Sequence, residues 1–385
     1  MKILRVLCAI LAVGLVACVE PDYGTTPDIT IASLGTPYDN EIWFTTTDGR
    51  DLMAIEESAF NVEVTDIIYS EYDVNVIRFA GELTTIGNNA FNGCYNLFNL
   101  SLPNSVVEIG ERAFYDCKNM ECLTLGSGLR HCCSMAFDGC FNLHSLHIPS
   151  IYNWCKITFD SPTANPLNYS FMLLVEKTKI KELTIPEGIE HISKYAFYNN
   201  TILTSVNMAT SVTSIGEGAF YGCDNISKVS TNSVKRWSEI EFKSEDANPL
   251  SIAKVLYSNG AEVRDVALEG VEHISSYAFI NCSSITSLMS DEALTQIGVD
   301  AFRNCTSLTN VELGCGVSQL GKQAFMNCKG LKSVTCLAMT PPTLGNNDVF
   351  SYNHESRKFY VQSDVLEMYK TNERWSRYAE AIEGI

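Results

Sequence analysis

The chain has 385 residues, 46% of them hydrophobic, and it carries 27 basic against 45 acidic residues for a net charge of −18. A chain this acidic repels phosphate backbones, which argues against nucleic acid as a partner. Its length and apolar content allow a larger core than one compact domain usually holds.

Residues 1–17 have the pattern of a signal peptide, because basic residues precede an apolar run that is too short to span a bilayer. The run ends in Leu15-Val16-Ala17-Cys18, which resembles the lipobox of bacterial lipoproteins. The resemblance implies cleavage before Cys18 and attachment of a lipid to its thiol. Residues 18–37 would then form the lipid anchor and a flexible tether, and the membrane would be reached only through the lipid.

The dominant feature of the sequence is an Ala-Phe pair that occurs eight times, in most cases 23 residues after the previous copy. An Ile-Gly or a variant of it precedes most pairs, and a string similar to Leu-x-x-Leu-x-Leu follows. In seven copies a cysteine stands three residues after the phenylalanine, and Asn200 takes its place in the eighth. The pairs begin at Ala90, Ala113, Ala136, Ala196, Ala219, Ala278, Ala301 and Ala324, and the cysteines are Cys94, Cys117, Cys140, Cys223, Cys282, Cys305 and Cys328.

A repeat of this length is typical of leucine-rich-repeat proteins, in which successive turns must stack to bury their apolar sides. Leucines that alternate with outward residues predict a strand in every turn, and these strands should pair in parallel into one concave sheet. We predict a repeat solenoid, a right-handed leucine-rich-repeat superhelix with short strands and turns on the convex side. About 11 coils at about 4.8 Å each would give a rod roughly 50 Å long.

Two longer steps between Ala-Phe pairs contain a tryptophan variant of the repeat. Trp154 and Trp237 lie 83 residues apart, and so do two copies of Asn-Pro-Leu that begin at Asn165 and Asn248. Both stretches keep alternating apolar residues, so they are expected to be extra coils and not inserted domains.

The ends of the repeat array lack its signature. Residues 38–80 contain strand-like runs and are predicted to be an N-terminal β cap, whereas residues 81–340 hold the repeats. Residues 341–385 are predicted to be a C-terminal cap with one or two short amphipathic helices over residues 364–382.

The repeat string, the prolines that follow the strand leucines and the two tryptophan turns resemble the BspA-like leucine-rich-repeat surface proteins common in Bacteroides and relatives. The resemblance covers nearly all of residues 38–385. It implies a cell-surface protein, and some members are described as adhesins that bind host matrix proteins such as fibronectin and fibrinogen. The family supplies no shared binding residues that could be transferred to this chain.

The cysteines at the repeated position are interpreted as buried structural thiols, because each occupies the same position of its coil. Cys132 and Cys336 replace core residues, while the redox state of Cys122, Cys133, Cys155 and Cys315 stays open. The run His131-Cys132-Cys133 lacks a second ligand pair at the usual spacing, so no metal is expected there. Because no catalytic motif was found, neither a cofactor nor an enzymatic activity is expected.

The predicted contact surface is the row of outward residues on the concave strands, which is small, polar and nearly neutral. An alternative surface is an aromatic stripe beside the Ala-Phe pairs, although these tyrosines are expected to pack between coils. The candidate residues of the concave row are Asn99, Ser101, Thr124, Ser145, His147, Glu182, Thr184, Ser205, Asn207, Lys228, Asp265, Asn310 and Glu312. The aromatic stripe comprises Tyr95, Tyr115, Phe141, Tyr195, Tyr198, Tyr221 and Tyr277.

Together these features predict a monomeric lipoprotein, anchored to the outer membrane and exposed on the cell, that binds a protein of the host matrix or of a neighbouring cell. Two alternatives are a lipoprotein that captures glycans and a structural envelope protein without a soluble ligand. Binding hot spots favour Trp, Tyr and Arg, and the predicted concave row contains none of them.

Overall fold

The computed structural model describes residues 35–385 except 71–73 and 171, together with the backbone of two short strands, Val16–Cys18 and Ile31–Ser33, which pair antiparallel. The predicted signal peptide and the side chain of Cys18, the predicted lipidation site, lie outside the residues whose side chains are described. The chain divides into two compact units. The first contains residues 1–180 and 195–202, and the second contains residues 181–194 and 203–385.

The first unit is built on an eight-stranded main sheet and a four-stranded minor sheet. Four coil strands of the main sheet pair in parallel, and antiparallel strands follow at both ends. In spatial order the main-sheet strands are Thr178–Lys179, Met172–Val175, Ser145–Ile148, Cys122–Thr124, Leu97–Ser101, Glu41–Thr46, Asn75–Phe79 and Val64–Ile68. The minor-sheet strands are Thr158–Phe159, His131–Cys132, Glu108–Ile109 and Thr85–Ile86, all parallel.

The second unit has two main sheets and two minor sheets, and its coil strands are also parallel. One main sheet holds Glu182–Thr184, Ser205–Met208, Lys228–Thr231, Leu256–Ser258 and the antiparallel Ala261–Glu262. The other holds Asp265–Leu268, Ser287–Ser290, Asn310–Leu313, Ser333–Cys336, Lys358–Val361 and Ile382–Gly384. The minor strands are His191–Ile192, Ser214–Ile215 and Glu241–Phe242 in one sheet, and His273–Ile274, Gln296–Ile297, Gln319–Leu320 and Thr343–Leu344 in the other.

Helices in the described chain are short. The α-helices are Ile151–Trp154, Val234–Glu239, Leu250–Ala253 and Leu366–Thr371. The 3₁₀ turns are Glu57–Ala59, Pro162–Ala164, Pro166–Asn168, Glu245–Ala247, Ser363–Val365 and Ser376–Ala381. Over these residues, none of the helices combines the length and apolar character that crossing a membrane requires.

The repeated phenylalanines stack on one another inside each unit. Phe91, Phe114 and Phe137 lie with neighbouring ring centroids 5.2 Å apart and nearly parallel planes. The second unit has a similar stack in Phe279, Phe302, Phe325 and Phe350, at 5.0 to 5.4 Å. All these rings are buried, so each phenylalanine contributes apolar burial and a ring contact to two neighbouring coils.

Backbone hydrogen bonds fix the same alignment. The amide of Phe91 donates to the carbonyl of Ala113 at 2.7 Å, and the amide of Phe302 donates to that of Ala324 at 2.8 Å. Most of these coils place two residues in the left-handed region, one before the alanine and one before the cysteine. Glycine, asparagine and aspartate tolerate that conformation best, which explains Gly93, Asp116, Gly139, Asn304 and Asn327 before the cysteines.

The tryptophan variant replaces part of this backbone link with side chains. Trp154 is fully buried, and its indole N–H donates to the carbonyl of Ala196 at 2.9 Å. The amide of Asn165 donates to the same carbonyl at 3.2 Å, while its oxygen accepts from the backbone N–H of Leu167 at 2.8 Å. The second variant coil has the same arrangement with Trp237, Asn248, Leu250 and Ala278. The variant therefore supplies donors to a carbonyl that in other coils accepts from a phenylalanine amide.

Two buried aromatic side chains hold the C-terminal segment in place. At the C-terminal end a short α-helix, Leu366–Thr371, precedes a 3₁₀ turn, and the side chains of Tyr369 and Trp375 are fully buried. The Tyr369 hydroxyl donates to the carbonyl of Ala338, and the Trp375 indole donates to that of Pro342, both at 2.8 Å. Both aromatic residues thus bind the segment to the preceding coil.

The Ile-Gly motif needs its glycine because the backbones of neighbouring coils approach each other closely at this position. A Cβ atom on Gly110 would lie 2.7 Å from the backbone carbonyl carbon of Gly87 and 2.7 Å from the backbone nitrogen of Asn88. We expect Gly110→Ala to lower the free energy of unfolding by about 1–3 kcal/mol, because the two coils must move apart. Urea denaturation of the variant and the parent would measure the loss.

The matched control is Gly81→Ala in the same unit, where the nearest atom to the new Cβ would be Val62 Cγ1 at 3.9 Å. This variant should keep the parent's stability or gain slightly, because alanine restricts the unfolded chain. Equal losses in the two variants would show that close approach is not the reason for glycine at residue 110.

Candidate contact surface and cysteine positions

The repeated cysteines are buried thiols. Cys117 Sγ donates to the carbonyl of Phe91 at 3.2 Å, and Cys305 Sγ donates to that of Phe279 at 3.1 Å. Each thiol thus contacts the phenylalanine of the preceding coil. Cys140 and Cys328 make the same contact with Phe114 and Phe302. Burial raises the pKa of these thiols, to about 12 for Cys328, as expected of structural cysteines.

The other cysteines divide by burial. Cys132 and Cys336 are buried, as their alignment with core residues predicts. Cys155 is also buried, and burial raises the pKa of its thiol to about 12. Cys133 is half-buried and Cys315 is exposed, so these two are the free thiols within reach of solvent in the described chain.

The predicted concave row has two different environments. In the first unit its members are buried, although the sequence predicts an exposed row; they are Asn99, Ser101, Thr124, Ser145 and His147. The physical reason is a covering segment: the Ser101 hydroxyl donates to the carbonyl of Gly35, and the strand Ile31–Ser33 lies against Cys122–Thr124. These residues therefore do not form an exposed contact surface in the first unit.

In the second unit the row is open to solvent. Glu182, Thr184, Lys228, Asp265, Asn310 and Glu312 are exposed, and Ser205 and Asn207 are half-buried. Their neighbours Val206, Val229, Val266 and Val311 alternate with them along the strands and are buried. We call the exposed and half-buried members the outer row of the second unit.

Three further side chains extend the outer row. Met289 is paired with Glu312 across neighbouring strands, and 54% of its surface is exposed. Tyr360 pairs with Thr335 in the same sheet, and Tyr257 pairs with Ser230, so both tyrosines stand on the outward side. The Lys228 ammonium lies 5.3 Å from the centre of the Tyr257 ring, within cation–π range.

The two tyrosines were missed in the sequence because they belong to coils without the standard signature. Tyr257 follows the tryptophan variant, and Tyr360 lies in the predicted C-terminal cap. Their alternation with buried Leu256 and Phe359 was the available signal.

The aromatic stripe is mostly occupied by contacts within the protein. Arg112 lies over the ring of Tyr115 at 5.7 Å, Lys118 lies over that of Tyr95 at 5.4 Å, and Tyr115 is half-buried. Tyr195, Tyr198 and Tyr277 are half-buried as well, whereas Tyr95, Tyr221 and Phe141 are exposed. The stripe therefore consists largely of side chains packed at the coil surface.

We expect Cys315 to react rapidly with a thiol reagent at about pH 8, while Cys305 and Cys328 react only after unfolding. The buried pair are shielded, and their raised pKa keeps them protonated at that pH. Alkylation of the whole chain with and without urea, followed by peptide mass spectrometry, would locate the labelled sites. Fast labelling of Cys305 in the native protein would contradict this packing.

Comparison with known proteins identifies the repeat. The signature described as BspA type leucine rich repeat region matches in six copies, over residues 62–165, 167–262 and 272–371. No curated protein sequence matches the chain.

Similar solved structures are bacterial leucine-rich-repeat proteins. One from Bacteroides ovatus is 18% identical, with 91% of this chain and 99% of that chain covered and a TM-score of 0.36. One from Eubacterium ventriosum is 18% identical, with 79% and 77% covered and a TM-score of 0.41. A leucine rich cell surface protein from Faecalibacterium prausnitzii is 18% identical, with 87% and 95% covered and a TM-score of 0.36. Because the repeat signature spans most of its length, this chain belongs to the family of BspA-type leucine-rich-repeat proteins.

Proposed function

We propose that the chain is a cell-surface lipoprotein that binds a protein partner through the outer row of the second unit. The observation that carries this proposal is the exposure of that row, in contrast to the buried row of the first unit. Repeat proteins bind through such extended surfaces, because stacked coils fill their interior with side chains.

The chemistry of the outer row favours a protein partner. Met289 supplies exposed apolar area, and Tyr257 and Tyr360 supply the residue type enriched at binding hot spots. Glu182, Asp265 and Glu312 make the row more acidic than basic, with Lys228 as the lysine among the residues named on it. The partner is therefore expected to present a basic patch with apolar neighbours, as a host matrix protein or a protein of a neighbouring cell could.

We expect Glu312→Lys to weaken binding of the whole chain to its matrix or cell-surface partner by about tenfold or more, because it reverses a charge beside Met289. Binding would be measured against a panel of matrix proteins and intact host cells. The matched control is Glu217→Lys, another exposed glutamate of the same unit outside the outer row.

Equal weakening by both glutamate variants would point to general charge and not to this surface. If the whole chain bound no protein of the panel but bound glycans on an array, the glycan-capturing alternative would replace this proposal. A chain that bound neither would favour the structural envelope role.

Export and lipid anchoring belong to the same proposal and rest on the Leu15-Val16-Ala17-Cys18 motif. We expect Cys18→Ser to abolish incorporation of labelled lipid and to release the protein from the membrane fraction, since the thioether cannot form. Protease treatment of intact cells would then degrade the anchored parent protein if it faces outward from the outer membrane. Lipid labelling that persists in Cys18→Ser would contradict the anchor.

Finer features of the fold are also proposed. We infer a right-handed superhelix whose ends are capped by residues 38–80 and 341–385. Antiparallel strands beside the coil strand Leu97–Ser101 support the first cap, and the buried Tyr369 and Trp375 support the second. The proposal is for binding and not for catalysis, because stacked coils fill their interior with side chains and present extended surfaces.

A further inference from the structure

Three consecutive coils of the first unit bring unlike polar side chains together on the minor sheet. His131 pairs with Glu108 on one neighbouring strand and with Thr158 on the other, while Cys132 pairs with Phe159. Because strand side chains alternate, Cys132 points into the core while His131 and Cys133 lie on the solvent side. Asp160 follows Phe159 and occupies the corresponding position on the next strand.

The donor atoms of this group are close. One ligand atom each from His131, Cys133 and Asp160 lie within 4.8 Å of one another. The Asp160 Oδ1 atom is 3.1 Å from His131 Nε2, and Cys133 Sγ is 3.9 Å from His131 Nδ1. Glu108 Oε2 lies 3.6 Å from the Nδ1 atom of His131.

We propose that His131, Cys133 and Asp160 form a binding site for a zinc-class divalent cation on the surface of the first unit. Thiolate and imidazole donors select zinc over calcium and magnesium, which require oxygen ligands. Ligand atoms around a tetrahedral zinc ion are about 3–4 Å apart, given Zn–N and Zn–S bonds of about 2.0–2.3 Å. The observed separations therefore need only small side-chain movements, and the Cys133 thiol gives up its proton to solvent on binding.

Two further features fit such a site. If His131 binds the ion through Nε2, on the side of Asp160, its Nδ1 lies beside the Glu108 carboxylate. Carboxylates in that position orient metal-bound imidazoles. All three ligand side chains reach solvent, so a fourth position stays open to water or to a group of a partner protein.

The arrangement is specific to this pair of coils. His191 and His273 occupy the position of His131 in other coils, but serine stands two residues after each of them, in place of Cys133. The strand after each presents Gly216 or Gly298 in place of Asp160. The 23-residue repeat alone does not reveal Asp160 as the third ligand. Asp160 belongs to the tryptophan variant coil and stands 27 residues after Cys133, so it does not fall on the 23-residue step.

The test uses the whole chain, purified with a histidine-free tag and stripped with a chelator. Zinc is titrated by calorimetry, and cobalt is titrated by visible absorption to detect a thiolate-to-metal band. We expect one zinc ion per chain at this site, and affinity losses of about tenfold or more in Cys133→Ser and in Asp160→Asn. His191→Gln is the matched control, since it removes the equivalent histidine of another coil, and it should bind zinc like the parent.

A second measurement does not depend on the folding of a variant. Zinc should slow the alkylation of Cys133 in the parent protein at least about tenfold and leave that of exposed Cys315 unchanged, because the metal-bound thiolate is shielded. Equal zinc affinity in the parent and in Cys133→Ser would overturn the proposal. So would an unchanged alkylation rate of Cys133 at saturating zinc.

Discussion

The hydrogen bond from the phenylalanine amide of one coil to the alanine carbonyl of the next sets the spacing on which each unit depends. With the coils held at this distance, the phenylalanine rings stack on one another, and thiols such as that of Cys117 reach the carbonyl of the phenylalanine in the coil before. The same distance leaves no space for a Cβ atom at Gly110. A coil alone would expose all these groups, so the core exists only between neighbours.

This constraint fixes the inward positions and leaves the outward ones free to differ. Buried Leu288 and Val311 repeat the pattern of other coils, whereas the outward side of the same two strands carries Met289 in one coil and Glu312 in the next. The outward positions of the minor sheet also differ between coils. His131 is one of three histidines at the same repeat position, whereas Cys133 is specific to its own coil. The proposed recognition and metal binding would therefore be properties of individual coils, while folding is a property of the repeat.

The repeat made much of the fold predictable, because a 23-residue step identifies every position that shares a core. The burial of Cys132 and Cys336 followed from alignment alone. Contacts between residues that are not related by the 23-residue step could not be predicted from the repeat. The cover that Gly35 provides over Ser101 joins residues 66 apart, and Asp160 reaches His131 only because the variant coil is longer. Such contacts depend on the path of irregular segments, which periodicity does not describe.

The tryptophan coil has a consequence for how the chain can change in length. The side chains of Trp154 and Asn165 both donate hydrogen bonds to the carbonyl of Ala196. The tryptophan coil therefore pairs this acceptor of the following coil by itself, whichever coil precedes the tryptophan coil. The same junction recurs at Ala278 after 82 residues. A duplication or deletion in frame between two such junctions would join compatible surfaces, so the gene could gain or lose a whole module without disturbing the packing of those that remain.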